Sequence, residues 1–200
     1  MLKFTHFFKL LVAAAVFLVG SADCEVLTST VSGVDCLCFS YDRPMQLHAF
    51  LTSVHKHLHG LGRVSVLYRT SDSRFEQAYN ELMHSFPSVI FVKQQQPEQP
   101  SFKPQLLKLL FDQPNSPYVM FGVDDIVVTE DVDLKACVAA LEMTGAYGFY
   151  LRLGKNITRC YTLAIEQDFA LPPLTSVAPG MYSWRFDTGV YDWNYPNSVS

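Results

Sequence analysis

The feature that most constrains this chain is a regular alternation of short apolar runs with segments whose apolar residues recur every three or four positions. The short runs are typical of strands buried on both faces, as in a parallel sheet. The recurring segments are typical of helices that bury one face. The alternation therefore predicts a single α/β domain with three layers and a mostly parallel sheet. The predicted strands are residues 34–41, 64–68, 89–92, 118–123 and 147–153.

Amphipathic segments between these strands predict the helices. The first covers residues 47–58 and ends before Gly60, a common helix stop. Ser73 and Glu76 have the spacing of a capping box and mark the start of the second. Two further helices are predicted around residues 106–110 and 134–141.

The composition supports burial and excludes several classes of function. Hydrophobic residues make up 49% of the chain and charged residues only 17%, which excludes an intrinsically disordered chain. A net charge of -4 and a pI near 5.8 are unfavourable for binding a phosphate backbone, so no nucleic-acid partner is expected. The five cysteines are too few for a disulfide scaffold and show no C-x-x-C spacing for zinc.

The N-terminus has the pattern of a secretory signal. Lys3 and Lys9 precede an apolar run over residues 10–19, and small residues up to Ala22 suit a signal peptidase. We therefore expect residues 1–22 to be a signal peptide cleaved near Asp23, or a short membrane anchor if cleavage fails. The expected localisation is the secretory pathway or the exterior, with membrane contact only through this segment.

Residues 34–200 are expected to form one domain that is truncated at its C-terminus. The strand and helix alternation fades past Arg152, and the final residues are rich in aromatic and turn-forming side chains. The sequence stops without a capping helix or a polar tail.

An acidic pair, Asp124-Asp125, directly follows the fourth predicted strand. Open α/β sheets bind ligands at the carboxyl ends of their strands. Two carboxylates placed there can hold a hard divalent cation, which in turn bridges the oxygens of a diphosphate. The alternative interpretation is a simple turn after a strand, where aspartate is common.

The segment Ser40-Tyr41-Asp42-Arg43-Pro44 lies where the first strand meets the first helix. This is a crevice position at which phosphate groups meet backbone amides, and an arginine there suits phosphate. A turn with Asp42 as N-cap and Pro44 in the first helical turn explains both of those residues and leaves Arg43 for function. The absence of G-x-G-x-x-G and of a P-loop motif disfavours a dinucleotide site and a P-loop ATPase.

Three histidines, His48, His55 and His59, fall close together on one face of the predicted first helix. A metal-binding face is one interpretation. However, no H-E-x-x-H pattern is present and no cysteine shares the face, so we prefer a boundary stripe of amphipathic side chains.

Taken together, a strand, S-Y-D-R-P, a helix and a fourth strand ending V-D-D-I resemble a nucleotide-diphospho-sugar glycosyltransferase of the GT-A fold. The resemblance spans roughly residues 34–195. It implies a Rossmann-like sheet that binds the donor. It also implies that the acidic pair is a variant of the family's D-x-D motif, with Val123 in the first position and Ile126 after the pair.

The resemblance also implies roles for individual residues. Mn²⁺ or Mg²⁺ would be bound by Asp124 and Asp125. The acceptor side would contain Trp184 and Trp193, and Asp192 would be the catalytic base that deprotonates the acceptor hydroxyl. The nucleotide pocket would be lined by Ser40, Tyr41, Arg43, Arg69 and Asp124.

The implied activity is transfer of a sugar from a nucleotide-diphosphate donor to a hydroxyl of a carbohydrate or other acceptor. The alternative is a secreted, catalytically inactive transferase-like domain that binds sugars or a protein partner. The export signal and the abrupt end of the chain favour this alternative.

Overall fold

The computed structural model describes residues 9–12, 33–94, 102–112, 116–151, 155, 159–160, 165–166 and 173–185. The helices are α1 (Pro44–His57), α2 (Ser73–Ser85), α3 (Phe102–Leu107), which continues as a π-helical turn (Lys108–Asp112), and α4 (Leu134–Thr144). The strands are β1 (Lys9–Val12), β2 (Val34–Tyr41), β3 (Leu58–His59), β4 (Leu61–Arg69), β5 (Ile90–Lys93), β6 (Tyr118–Val123), β7 (Val132–Asp133), β8 (Gly148–Tyr150), β9 (Arg159–Cys160), β10 (Ile165–Glu166), β11 (Thr175–Ala178) and β12 (Met181–Ser183).

The central sheet has six strands in the order β5-β4-β2-β6-β1-β8, and every neighbouring pair is parallel. This confirms the predicted fold class, a Rossmann-like α/β domain with a mostly parallel sheet. The first and fourth predicted strands coincide with β2 and β6. The last predicted strand is shorter than expected: β8 ends at Tyr150, and residues 152–153 lie outside the described ranges.

Strand β1 lies within residues 1–22, the segment predicted to be a signal peptide or anchor. It pairs in parallel with β6 on one side and with β8 on the other. Within the described ranges, no helix has both the length and the apolarity needed to cross a membrane. Cleavage near Asp23 and export stay predictions.

Apolar residues on the two faces of the sheet belong to two separate clusters. Because side chains alternate along a strand, Cys36 and Cys38 of β2 face one way and Leu37 faces the other. The two cysteines join the larger cluster, which includes buried residues of α1, α2 and α4. Leu37 belongs to the smaller cluster, against which Leu106 of α3 packs. Helices therefore cover both faces, as the three-layer prediction requires.

Three cysteines in the described part of the chain are small core residues. Cys36, Cys38 and Cys137 are all buried free thiols. Burial raises the pKa of Cys36 and of Cys137 to about 12, so neither thiol is a nucleophile at neutral pH.

The start and end of two helices differ from the sequence prediction. Asp72, rather than Ser73, caps α2, because its carboxylate accepts from the amides of Arg74 and Phe75 at 2.8 and 3.3 Å. Helix α1 ends at His57, and the next two residues form β3, which pairs in parallel with β7. The apolar spacing of Leu58 predicts a helical residue, but its backbone pairs with Val132 of β7 and is extended instead.

The histidine stripe is correspondingly shorter than predicted. His59 lies on β3 and not on α1. The rings of His48 and His55 pack against Phe86, with centroids 5.3 and 5.9 Å apart. These contacts support the interpretation of the two helical histidines as amphipathic boundary residues. His57 instead contacts Asp131, with Nδ1 2.8 Å from the carboxylate oxygen.

The pairing of β2 with β6 fixes the position of the candidate site. From β2 the chain passes outward to β4 and β5, and it then returns to place β6 on the other side of β2. Such a reversal leaves a crevice at the carboxyl ends of the two central strands. Phe39 pairs with Val123, so the residues that follow them leave the sheet side by side.

Gly122 allows α1 to lie close to β6. A Cβ at this position would meet the ring of Phe50 at 2.5 Å, and Phe50 is fully buried.

We expect Gly122→Ala to lower the free energy of unfolding by about 1 to 3 kcal/mol through overpacking, measured by urea denaturation. Adding Phe50→Leu should recover part of the loss. Additive effects of the two substitutions would contradict this explanation.

Candidate functional site

The structure brings together four of the residues predicted to bind nucleotide or metal. Ser40 lies near the end of β2 and Arg43 just beyond it, while Asp124 and Asp125 follow β6. Because parallel strands end at the same edge of a sheet, these residues lie in one crevice. We refer to Asp124 and Asp125 below as the acidic pair.

The two carboxylates of the acidic pair have different surroundings. Asp124 is buried, and its Oδ2 accepts the Ser40 hydroxyl at 2.7 Å. The side chain of Asp125 is 55% exposed. Arg43 joins the two: its Nη1 lies 3.0 Å from Oδ2 of Asp125 and 3.6 Å from Oδ1 of Asp124.

The pair does occupy a turn, as the alternative interpretation predicted, since the amide of Ile126 donates to the carbonyl of Val123 at 3.4 Å. A turn alone does not account for the burial of Asp124. A buried carboxylate is costly unless hydrogen bonds or opposite charge stabilise it. Ser40 and Arg43 supply one of each, so the crevice is built around this carboxylate.

A third residue, Tyr79 of α2, completes a hydrogen-bond chain to Asp124. Its hydroxyl lies 2.5 Å from the Ser40 hydroxyl oxygen. Ser40 has one hydroxyl proton and directs it to Asp124, so Tyr79 must be the donor to Ser40. The Tyr79 oxygen in turn accepts from the backbone amide of Arg43 at 3.3 Å.

The environment of Tyr79 keeps its hydroxyl protonated and fixed. Burial raises the pKa of Tyr79, although its hydrogen bonds oppose this. Its ring stacks on Tyr68, with centroids 4.6 Å apart. The sequence gives no sign of this role, because Tyr79 lies on the apolar face of α2, a position typical of a core aromatic residue.

The other predicted nucleotide-pocket residues lie beside this cluster. The guanidinium of Arg69 lies over the ring of Tyr41, 5.4 Å from its centroid, and Tyr41 is 52% exposed. Asp42 does not cap α1, contrary to the turn interpretation. It has a left-handed backbone with φ of 55°, and its carboxylate accepts from the amide of Ser71 at 2.8 Å. It therefore ties the end of β2 to the loop after β4.

The predicted acceptor residues are described only in part. Trp184 follows β12, and its ring lies 5.7 Å from that of Tyr150 at the end of β8. The carboxyl end of β8 is on the same edge of the sheet as the acidic pair, because both strands run parallel to β1. Trp193 and the predicted base Asp192 lie outside the described residues.

The two carboxylates of the acidic pair fit a divalent ion whose remaining ligands are phosphate and water oxygens. Across the described ranges, no group of three or more His, Cys, Asp or Glu side chains is placed to hold a metal ion. Mg²⁺ and Mn²⁺ at nucleotide sites need only one or two carboxylates, because phosphate and water oxygens complete the coordination. Asp124 and Asp125 satisfy this need, while Arg43 lies against both.

The chain is similar to a protein that is named as a glycosyltransferase. Over 182 residues the chain is 34% identical to the bifunctional glycosyltransferase pgtA of Dictyostelium discoideum, a match that covers 82% of this chain and 23% of that protein. The chain thus spans less than a quarter of the length of this curated relative. No protein-family model matches the chain, and no solved structure gives a significant match.

The hydrogen-bond chain gives a prediction for Tyr79→Phe. The substitution keeps the stacked ring but leaves Ser40 without its donor, so we expect unfolding in urea to become easier by about 1 kcal/mol. Nucleoside diphosphate binding, measured by calorimetry, should weaken because Asp124 is held less firmly.

Tyr118→Phe is the matched control. It removes a partly buried tyrosine hydroxyl that donates to Glu142 at 3.0 Å, away from the acidic pair. It should reduce stability without changing nucleotide binding. An equal loss of binding in both variants would contradict a specific role for Tyr79.

Proposed function

We propose that this chain binds the donor in a glycosyltransferase that moves a sugar from a nucleoside diphosphate to a hydroxyl acceptor, with Mn²⁺ or Mg²⁺ at the acidic pair. One observation carries the proposal: Ser40, near the end of β2, and Arg43, just beyond it, both contact the carboxylates that follow β6. The similarity to a named glycosyltransferase supports the same chemistry. The GT-A fold is part of this proposal.

The charges in the crevice suit a diphosphate flanked by a nucleoside. Arg43 has a guanidinium that is about half exposed and can form paired hydrogen bonds with phosphate oxygens. Tyr41 presents an exposed aromatic ring backed by Arg69, which suits stacking against a base. We assign the diphosphate to Arg43 and the nucleoside to the side of Tyr41 and Arg69.

The two carboxylates have separate roles in this proposal. Asp125 is exposed enough to bind a cation directly, and Asp124 is held by Ser40 so that it orients the donor's ribose or a bound water. A divalent ion held there would offset the negative charge that develops on the departing nucleoside diphosphate. The protein's own contribution is a carboxylate already oriented before the donor binds.

The acceptor would approach from the side of β8. Trp184 and Tyr150 present neighbouring aromatic rings at the end of that strand, which suits contact with a carbohydrate. We also assign Trp193 to acceptor binding, and Asp192 to the removal of the acceptor's proton. Secretion, or residence in the secretory pathway, is proposed from residues 1–22.

Substitutions in the acidic pair test the proposal. Asp125→Asn removes the charge needed by a hard divalent ion, so nucleoside diphosphate binding should lose its dependence on Mn²⁺. The melting temperature should barely change, because an exposed ion pair contributes only about 0 to 1 kcal/mol. Asp124→Asn should lower both affinity and melting temperature, because this carboxylate is buried and hydrogen-bonded.

The measurement is calorimetric titration of UDP, GDP, ADP and CDP with and without Mn²⁺. Glu130→Gln serves as the matched control, since it removes an exposed carboxylate outside the acidic pair. It should behave as wild type. If wild type binds no nucleoside diphosphate under any metal condition, the donor-binding function is wrong and the non-catalytic binding domain takes its place.

A further inference from the structure

Arg43 lies against both carboxylates that are proposed to bind the divalent ion. Its Nη1 lies between the oxygens of the acidic pair, 3.0 Å from Asp125 and 3.6 Å from Asp124. The other carboxylate oxygen of Asp124 accepts the Ser40 hydroxyl at 2.7 Å. A second cation can reach the oxygens that face Arg43 only if the guanidinium moves, because two positive charges would otherwise lie within a few ångströms of each other.

The side chain of Arg43 can move without disturbing the fold. It is 51% exposed and its partner Asp125 is 55% exposed, so their ion pair is weakly held. The backbone of Arg43 is fixed independently, since its amide donates to Tyr79 and its carbonyl accepts from the amide of Leu47 at the start of α1. A fixed backbone with an exposed side chain allows the guanidinium to exchange one anion for another.

We propose that Arg43 offsets one of the two negative charges of the acidic pair in the free protein and transfers to the diphosphate when a nucleotide binds, which makes nucleotide and divalent ion bind cooperatively. The inference rests on the proposed function. Without nucleotide, the ion competes with a tethered guanidinium for the same carboxylates. With nucleotide, the phosphates accept paired hydrogen bonds from the guanidinium, and the carboxylates become available to the ion.

The neighbouring charges are compatible with this exchange. Arg69 lies over the ring of Tyr41, and Asp42 is hydrogen-bonded to the amide of Ser71. Both groups already have partners in the free protein that do not involve the acidic pair. The coupling is reciprocal, so the ion must strengthen nucleotide binding by the same factor as the nucleotide strengthens ion binding.

The test titrates the full chain with Mn²⁺, first alone and then with saturating UDP or GDP. In both titrations the electron paramagnetic resonance signal of the free ion measures how much Mn²⁺ is bound. We expect wild type to bind Mn²⁺ weakly alone. Arg43→Gln should bind Mn²⁺ alone on the order of tenfold more tightly, because the competing cation is gone. The nucleotide should then strengthen Mn²⁺ binding by a smaller factor in Arg43→Gln than in wild type.

Arg74→Gln is the matched control. It makes the same change of net charge at an exposed arginine that pairs with Asp72 at 2.8 Å instead of with the acidic pair. Its affinity for Mn²⁺ should equal that of wild type at about 0.15 M salt, where the Debye length is about 8 Å. A gain in Arg74→Gln equal to that in Arg43→Gln would show a general charge effect and overturn the inference.

The remaining outcomes separate the inference from the proposed function. If Arg43→Gln binds Mn²⁺ alone no more tightly than wild type, Arg43 does not compete and the inference is wrong. The proposed function then stands, provided that wild type binds Mn²⁺ together with UDP or GDP and Asp125→Asn does not. If wild type binds no Mn²⁺ even with nucleotide, both the inference and the metal-assisted function are wrong.

Discussion

The parallel pairing of β2 with β6 is the interaction on which the rest of this structure depends. It places the carboxyl ends of two strands that are distant in the chain next to each other, at the point where the strand order reverses. Cys38 pairs with Gly122, and the lack of a side chain at Gly122 lets Phe50 of α1 pack over this junction. Fold and site therefore share one constraint: the packing that joins the two strands also aligns Ser40 with Asp124.

The buried carboxylate of Asp124 connects this packing to chemistry. Removing a carboxylate from water is costly, and the surroundings offset the cost with a hydroxyl from β2 and a guanidinium from the following turn. Tyr79 extends the arrangement into α2, because it donates to Ser40 and accepts from the amide of Arg43. A strand end, a turn and a helix thus hold one side chain in place before any ligand binds.

Arg43 has one anionic partner in the structure, the acidic pair, and a second in the proposed function, the diphosphate. The half-exposed guanidinium beside two carboxylates offsets one of their two negative charges, and in the proposed function the same group binds a diphosphate. In the proposed function, the buried Asp124 orients the donor and the exposed Asp125 binds the ion directly. The similarity to pgtA extends over 23% of that protein, and the sugar-transfer role of the crevice is the function proposed above.

The sequence by itself determined the layers of the fold and the strand ends that carry the site, because apolar periodicity reports which face of each element is buried. It identified β2 and β6 to the residue and placed the S-Y-D-R and V-D-D segments at their carboxyl ends. Only the tertiary structure decided that Tyr79 belongs to the site, that Arg43 lies on the acidic pair and that Leu58 leaves α1 for β3. These features depend on contacts between residues far apart in the chain, and the spacing of apolar residues along the sequence does not indicate such contacts.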